Sequence, residues 1–415
     1  MIDSFIVHPT VRQRLHEGPL GSAVDHIAQT LQAQGYAAAT IRIYLRNTAH
    51  FGQWLEHHHI AVASVTNATV DRYLRHCGRL PSGQLPKSVH GLRQLVTLLR
   101  EQGIVPQQAL RTPATECDRW LLRYEHYLRT VQGAAASTHA TYPRIARRFL
   151  PSCFPTGRVD WPAVKAEHVA AFVQRETTHR VGAGRREPAA AVRAALRFVV
   201  LSGERAPGLE GAVPMPRQWL HATLPSQLTP TEVAQVLQST QGTTPAAIRN
   251  HAILLLLARL GLRAREVARL QLDDIQWYAS QLMIRPGKAH QERCLPLSQE
   301  VGDALVAYLM TTRPVSSSRY VFLRLKPPFR PFVRACGIGR LVRRALESAG
   351  IPPRTPMGAH LFRHTAASLM VQQGATFKEV ADVLGHRSLQ TTGLYAKLDF
   401  ANLTAVALPW NGGVQ

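Results

Sequence analysis

The first half of the chain repeats itself, and this constrains its architecture more than any other feature. The stretch from Gly35 reads GYAAATIRIYLRNTAHFGQWL, and that from Gly133 reads GAAASTHATYPRIARRFL. Thr40, Tyr44 and Phe51 match Thr138, Tyr142 and Phe149 at an offset of 98. Val70 and Tyr73 match Val169 and Phe172 at 99, and Leu92, Arg93 and Gly103 match Val192, Arg193 and Gly203 at 100. A slowly drifting offset is what a duplicated helical domain with small loop insertions gives. Within each copy the apolar residues recur at helical spacing. Ile41, Tyr44, Leu45, Phe51, Trp54 and Leu55 form one stripe, and Leu92, Leu95, Val96, Leu98 and Leu99 another. Each copy therefore predicts a bundle of about four helices around an apolar interior. The first spans 1–112 and the second 113–218, with the Pro- and Gly-containing segment from Glu204 to Pro216 as the linker out.

A third domain, 226–415, has a different pattern. Thr229-Pro230-Thr231-Glu232 is a helix start: a Thr cap, Pro at the first helical position, and Glu three residues after the cap. Helical periodicity follows over 246–259 and 264–270, then strand-like runs over 275–278, 281–285 and 293–297. A tight turn at Ala279-Ser280 joins the first two runs into an antiparallel pair. Helices resume over 301–312, 335–349, 360–373, 376–384 and 388–396, with Gly385 placed as a C-cap. The fold class expected is mainly α with one small antiparallel β-sheet.

Charge narrows the partners. Lys and Arg number 49 against 26 Asp and Glu, a net charge of +23 and a sequence pI near 10.9. The cations are spread along the chain, which favours broad folded surfaces lying on a polyanion, nucleic acid being the commonest. The five cysteines, Cys77, Cys117, Cys153, Cys294 and Cys336, are scattered without a C-x-x-C pair, against a disulfide framework or a cysteine zinc site. The longest apolar run, Ala252 to Ala258, is too short to span a bilayer. The N-terminus shows no secretory pattern, so no membrane partner and a cytoplasmic, nucleoid-associated location are expected.

The third domain also carries a set of polar residues suited to phosphoryl transfer on DNA. That chemistry needs a nucleophile, cations to neutralise the charge on phosphorus, and an acid for the departing oxygen. Arg263 lies in LGLRARE, where a helix breaks at Gly261-Leu262 and can aim a guanidinium into a cleft. Lys288, one of six lysines in the chain, sits in the Pro-Gly turn of RPGKAHQERCLPL. His360 and Arg363 are i and i+3 on one helix face, His386 follows in Leu-Gly-His, and Tyr395 stands nine residues later. His360 and His364 at i and i+4 have zinc-like spacing, but a carboxylate ligand is missing and Arg363 intervenes. His57-His58-His59 reads as a polar loop. Taken singly, each of these residues reads more simply as surface or packing. Six in order do not.

In that order and spacing the set resembles the catalytic domain of the tyrosine recombinases: phage integrases, Xer-type resolvases and recombinases of mobile elements. Gly261-Leu262-Arg263 with Glu266, the hairpin Lys288, His360-x-x-Arg363, Leu384-Gly385-His386 and Tyr395 match that family's pattern over about 226–407. The second bundle resembles its core-binding domain, while the first copy is additional, either another DNA clamp or a protein-interaction module. Arg265 departs from the Ser often found there.

The resemblance implies a site-specific recombinase that cleaves and rejoins double-stranded DNA through a 3′-phosphotyrosyl intermediate. It needs neither metal nor cofactor, and the sequence has no phosphate-cradling Gly-rich loop or acidic cluster. Tyr395 would attack, Arg263 and Arg363 would clamp the nonbridging oxygens, Lys288 would protonate the leaving oxygen, His360 would take the tyrosine proton, and His386 would hydrogen-bond the phosphate. The resemblance further implies a homo-tetramer on two DNA sites, with partner recombinases or accessory factors. Leu403, Val406, Leu408 and Trp410 would anchor the tail on a neighbouring subunit or on its own domain. A type IB topoisomerase and a catalytically idle DNA-binding factor are the competing readings. The second would be expected to lack the Tyr, Arg or Lys.

Overall fold

A computed structural model describes residues 2–6, 8–78, 91–107, 115–133, 136–180, 182–205, 207–215, 226–285, 292–332, 335–354 and 357–386. By packing, the chain divides into two compact units, one of Met1–Gln108 with His221–Gln415 and the other of Ala109–Leu220. Among the described residues no helix is long and apolar enough to cross a membrane.

The first copy of the repeat forms α1 (Pro9–Glu17), α2 (Val24–Ala33), α3 (Ala38–His57), α4 (Asn67–His76) and α5 (Leu92–Glu101). Every residue of the two predicted stripes is buried. The second copy forms α6 (Glu116–Thr130), α7 (Ala136–Cys153), α8 (Ala166–Thr178) and α9 (Arg186–Leu201). Each copy encloses its own apolar core. Their internal geometry repeats as closely as their sequence. The rings of Phe51 and Tyr73 lie 5.0 Å apart at 58°, and those of Phe149 and Phe172 lie 5.1 Å apart at 58°. At the end of the last helix, Ile104 N donates to Leu99 O at 3.0 Å, and Glu204 N donates to Val199 O at 3.1 Å.

Two expectations for this half need correction. The first copy carries a fifth helix, α1, which covers the core through Leu15 and which the repeat could not announce because the second copy lacks it. The stretch from Glu204 to Pro216 is not simply a linker. Leu209 and Val213 are buried in the second core, and Arg193 of α9 donates to the carbonyls of Glu210 and Val213. Apolar side chains outweigh Gly and Pro there.

The remaining residues build the α10–α16 region. Thr229 caps α10 (Pro230–Ser239) as expected: its hydroxyl accepts from Glu232 N at 3.1 Å while the Glu232 carboxylate accepts from Thr229 N at 2.8 Å. The central helix is α11 (Pro245–Leu260), with Ala252 to Leu257 and Leu260 all buried. Apolar all round over its middle, Ala252 to Leu257, it packs against α10, α12 (Ala264–Arg269), α13 (Gln299–Ala307), α14 (Ala335–Ser348) and α15 (Ala359–Gln372). The apolar run that is too short for a membrane is therefore the core of this region. Helix α13 continues as a π-helical turn over Tyr308–Thr312. Helix α16 (Phe377–Leu384) rests on a small separate cluster of Ala367, Val371, Val380 and Leu384.

The sheet has the order β1-β2-β3 and is antiparallel throughout: β1 (Ile275–Gln276), β2 (Gln281–Ile284) and β3 (Arg293–Pro296). The turn between β1 and β2 holds Ser280 at φ 49°, where the sequence places it. Ile275, Leu282, Ile284 and Leu295 turn one face to the core. In the β2–β3 register Ile284 pairs with Arg293, so Arg293 opens β3. Lys288 itself, the helix expected over 388–396, Tyr395 and the tail anchors lie outside the described residues.

Candidate active site

Two left-handed glycine turns build the site. Gly261, at φ 57°, ends α11, and Gly385, at φ 62°, ends α16. Only glycine takes this conformation without strain, and here it also has no room for a side chain. A Cβ on Gly261 would stand 2.6 Å from the Leu384 side chain, and one on Gly385 would stand 2.6 Å from Nη1 of Arg293. The first turn delivers Arg263 to the N-terminus of α12, and the second delivers His386.

The last carbonyls of a helix have no partners within it and carry the negative end of its dipole. In α16 they are taken up by arginines. Arg363, only 4% exposed, donates to Leu384 O at 2.5 Å and to Gly261 O at 2.8 Å, which locks the two turns together. Arg263 donates to Leu384 O at 3.3 Å and to Gly385 O at 3.0 Å. Arg293 donates from Nε to Val383 O at 2.9 Å.

Among the described residues, Glu266 is the carboxylate that Arg263 and Arg293 share. It accepts Arg263 N at 2.8 Å and Arg263 Nη1 at 2.9 Å, and it takes both terminal nitrogens of Arg293 at 3.2 and 3.0 Å. Burial alone would raise its carboxyl. The hydrogen bonds and charge of Arg293, with those of Arg263, outweigh that and hold it below the ordinary value. Among the described residues, Arg263 and Arg293 share this one carboxylate, and Arg363 joins them on the end of α16. Arg263 uses three of its five guanidinium N–H donors on Glu266, Leu384 and Gly385, so two face no acceptor among the described residues. Such an arrangement can take up an anion with several oxygens.

The histidines are tuned to match. His360, on α15, keeps an exposed face, yet the protein packed about its ring lowers its proton affinity, and the charges of Arg363 and Arg263 lower it further. His386 is pushed down to about 4, first by burial and then by Arg363, Arg263, His364 and Arg293. His364 falls to about 4 through burial and then His360 and Arg363. All three are neutral at pH 7. A neutral His360 can accept a proton, and a neutral His386 can donate an N–H to an oxyanion. Among the described residues no group of three or more His, Cys, Asp or Glu is placed to hold a metal ion.

Of the six residues read from sequence, the structure brings together Arg263, His360, Arg363 and His386, while Lys288 and Tyr395 lie outside the described residues. Sequence reasoning missed Arg293. Its signal was a charged residue two positions before Leu295, on the strand face that carries the core. Arg265 is exposed, with no hydrogen bond or ion pair recorded among the described residues.

Comparison with known proteins gives a consistent set of matches. A family model described as "Phage integrase family" matches residues 226–402. A Sinorhizobium fredii protein named as an integrase/recombinase, y4rA, is 35% identical over 402 residues, covering 96% of this chain and 96% of its own length. The tyrosine recombinase XerD of Mycobacterium tuberculosis is 30% identical over 292 residues, covering 66% of this chain and 90% of its own. Among solved structures, the XerH site-specific recombinase bound to palindromic difH substrate, a post-cleavage complex, superimposes with a TM-score of 0.55 at 19% identity. The match covers 71% of this chain and 88% of that one.

Proposed function

The chain belongs to the phage integrase family of tyrosine recombinases, which act in site-specific DNA recombination, and we propose that it breaks and rejoins DNA by metal-free transesterification at Tyr395. The observation that carries this reading is the convergence of three guanidiniums, those of Arg263, Arg363 and Arg293, on the end of α16, two of them sharing the Glu266 carboxylate. A phosphodiester brings a negative charge to this cluster, and its two nonbridging oxygens suit planar guanidinium forks.

The steps follow from the groups. The Tyr395 hydroxyl gives its proton to neutral His360, and its oxygen bonds to phosphorus. The bond from phosphorus to the 5′ oxygen breaks, and that oxygen takes a proton from Lys288. Arg263, Arg363 and the N–H of His386 hold the charge that builds on the nonbridging oxygens. The resulting 3′-phosphotyrosyl ester conserves the energy of the broken bond, and the 5′-hydroxyl of a partner strand reverses the step. Exchange of both strands between two duplexes requires one nucleophile per strand, and each chain offers one Tyr395. A homo-tetramer on two DNA sites is therefore the assembly proposed, working with partner recombinases or accessory factors and associated with the nucleoid.

The three apolar cores support a reading of three domains, 1–112, 113–218 and 226–415, the last holding the chemistry. The test is covalent capture. A duplex selected by the protein from a random-sequence pool, then nicked beside the scissile phosphate, is expected to trap a protein–DNA adduct in excess EDTA. Tyr395→Phe should bind that duplex without forming the adduct. An adduct at another residue, or an absolute need for a divalent ion, overturns the proposal.

A further inference from the structure

Helix α1, which the second copy lacks, does more than cover the core of the first bundle. With the residues just before it, it forms one side of a cleft of about 580 Å³ whose other side is α3. Phe5, Ile6, Val11 and Leu15 give this cleft an apolar lining. Phe5 and Leu15 are also part of the buried core, while Val11 stands 44% exposed. The side on α3 runs through Arg42, Arg46, Ala49, His50 and Gln53, which share one helix face. That face is roughly 17 Å long at the rise of an α-helix. Arg14 of α1 joins Arg42 and Arg46 in the lining; all three are exposed, and none is in an ion pair among the described residues.

The second copy treats the same stretch of its helix differently. At the repeat positions of Ala49 and His50 it has Arg147 and Arg148. These pair with Glu125 of α6 at 3.1 Å and Glu176 of α8 at 2.8 Å. The cations of the second copy are thus met by carboxylates of their own bundle. Those of the first stand beside an apolar recess, with no acidic side chain in its lining among the described residues.

We infer that this cleft receives an acidic amphipathic helix of a partner protein. Its apolar residues pack on Phe5, Ile6, Val11 and Leu15, and its carboxylates meet Arg14, Arg42 and Arg46. Charge complementarity gives the sign of the partner, and the apolar lining gives its class. A duplex meets a protein first through its phosphates and would leave the recess unfilled, whereas a helix laid in a groove uses both the apolar lining and the cations. A helix of about three turns matches the length of the α3 face. The inference makes no use of the chemistry at Tyr395 and stands or falls apart from it.

The test uses the full chain and two synthetic peptides of about fifteen residues, long enough for the α3 face. The first has leucine at i, i+3, i+4 and i+7 and glutamate elsewhere; the second has serine in place of each leucine, so its charge is the same. In fluorescence anisotropy the leucine peptide is expected to bind about tenfold more tightly or better, the worth of burying one or more apolar side chains. Val11→Gln keeps every charge and alters an exposed position, so the bundle stays folded. It should weaken the leucine peptide by about tenfold and leave the serine peptide unchanged. Arg42→Ala should weaken both. In either variant, affinity for the selected duplex and its salt dependence should match wild type.

Equal binding of the two peptides, or undiminished binding of the leucine peptide by Val11→Gln, would overturn the inference. So would displacement of the bound peptide by the selected duplex together with a shallower salt dependence in Arg42→Ala, because the cleft would then belong to a DNA-binding face.

Discussion

Arg263 and Arg363 donate to the same oxygen, the carbonyl of Leu384 at the end of α16. Two like charges converge on one acceptor because that acceptor ends a helix, where the backbone dipole is negative and the carbonyls lack partners. The protein's own bonds thus orient both guanidiniums, and two donors of Arg263 meet no acceptor among the described residues.

Replacing either arginine by lysine is expected to slow adduct formation by about 100-fold or more, since a transition-state hydrogen bond is removed at each. For Arg363→Ala a further loss of stability, about 2 kcal/mol or more, follows from leaving the carbonyls of Gly261 and Leu384 without their donor. Single-turnover trapping and urea denaturation report the two effects separately. Unchanged trapping in Arg363→Lys would place the phosphate elsewhere.

Stability should fall with acid in a window that the histidines define. His364 and His386 have folded values of about 4 against an ordinary 6.5, so each binds its proton more weakly folded than unfolded. Unfolding therefore takes up protons between pH 6.5 and about 4. The stability is complete above that window and is lost as pH falls through it. With both groups titrating, the slope approaches about 2.7 kcal/mol per pH unit. Denaturation at pH 7, 6 and 5 checks this, and a flat profile would mean that the two imidazoles titrate normally.

The duplicated cores should respond alike to the same injury. Phe51 and Phe149 are both fully buried and meet Tyr73 and Phe172 in the same geometry. Phe51→Ala and Phe149→Ala are each expected to cost about 3–5 kcal/mol in their own bundle. Hydrogen exchange resolved along the chain locates the loss. A disturbance spread evenly over both bundles in either variant would show that they do not fold as separate cores.

The first bundle exposes Arg42 and Arg46 along α3, beside a cleft of about 580 Å³ in whose lining, among the described residues, there is no acidic side chain. Arg46 stands at the repeat position of Arg144, which is also exposed. If this face meets DNA, Arg42→Ala and Arg46→Ala will each make the dependence of log affinity on log salt shallower by about one. An unchanged slope with lost assembly would make the bundle a protein-interaction module.

Much of this was readable in the residues. The stripes from Ile41 to Leu55 and from Leu92 to Leu99 are buried as their spacing requires, and the Thr229–Glu232 cap forms. Four of the six chemical residues converge because short motifs fix each of them to a helix start or a glycine turn. The unread parts depend on contacts distant in sequence. Helix α1 has no counterpart in the repeat, and Leu209 and Val213 are two apolar residues in a stretch otherwise written like a loop. Arg293 is a charge on a core-facing strand position, and nothing near it in sequence announces Glu266 or Val383 as partners.

Helix α16 is eight residues long, and its apolar support is the small cluster of Ala367, Val371, Val380 and Leu384, with Val383 alone reaching the main core. Arg263, Arg293 and Arg363 all depend on its last turn. A short element with so little core frays before the rest of the fold does, and when it frays the three arginines lose their common anchor at once. Under the mechanism proposed above, a molecule unravelled at this turn loses its phosphate site as a unit, so local damage ends in silence and not in stray nicks.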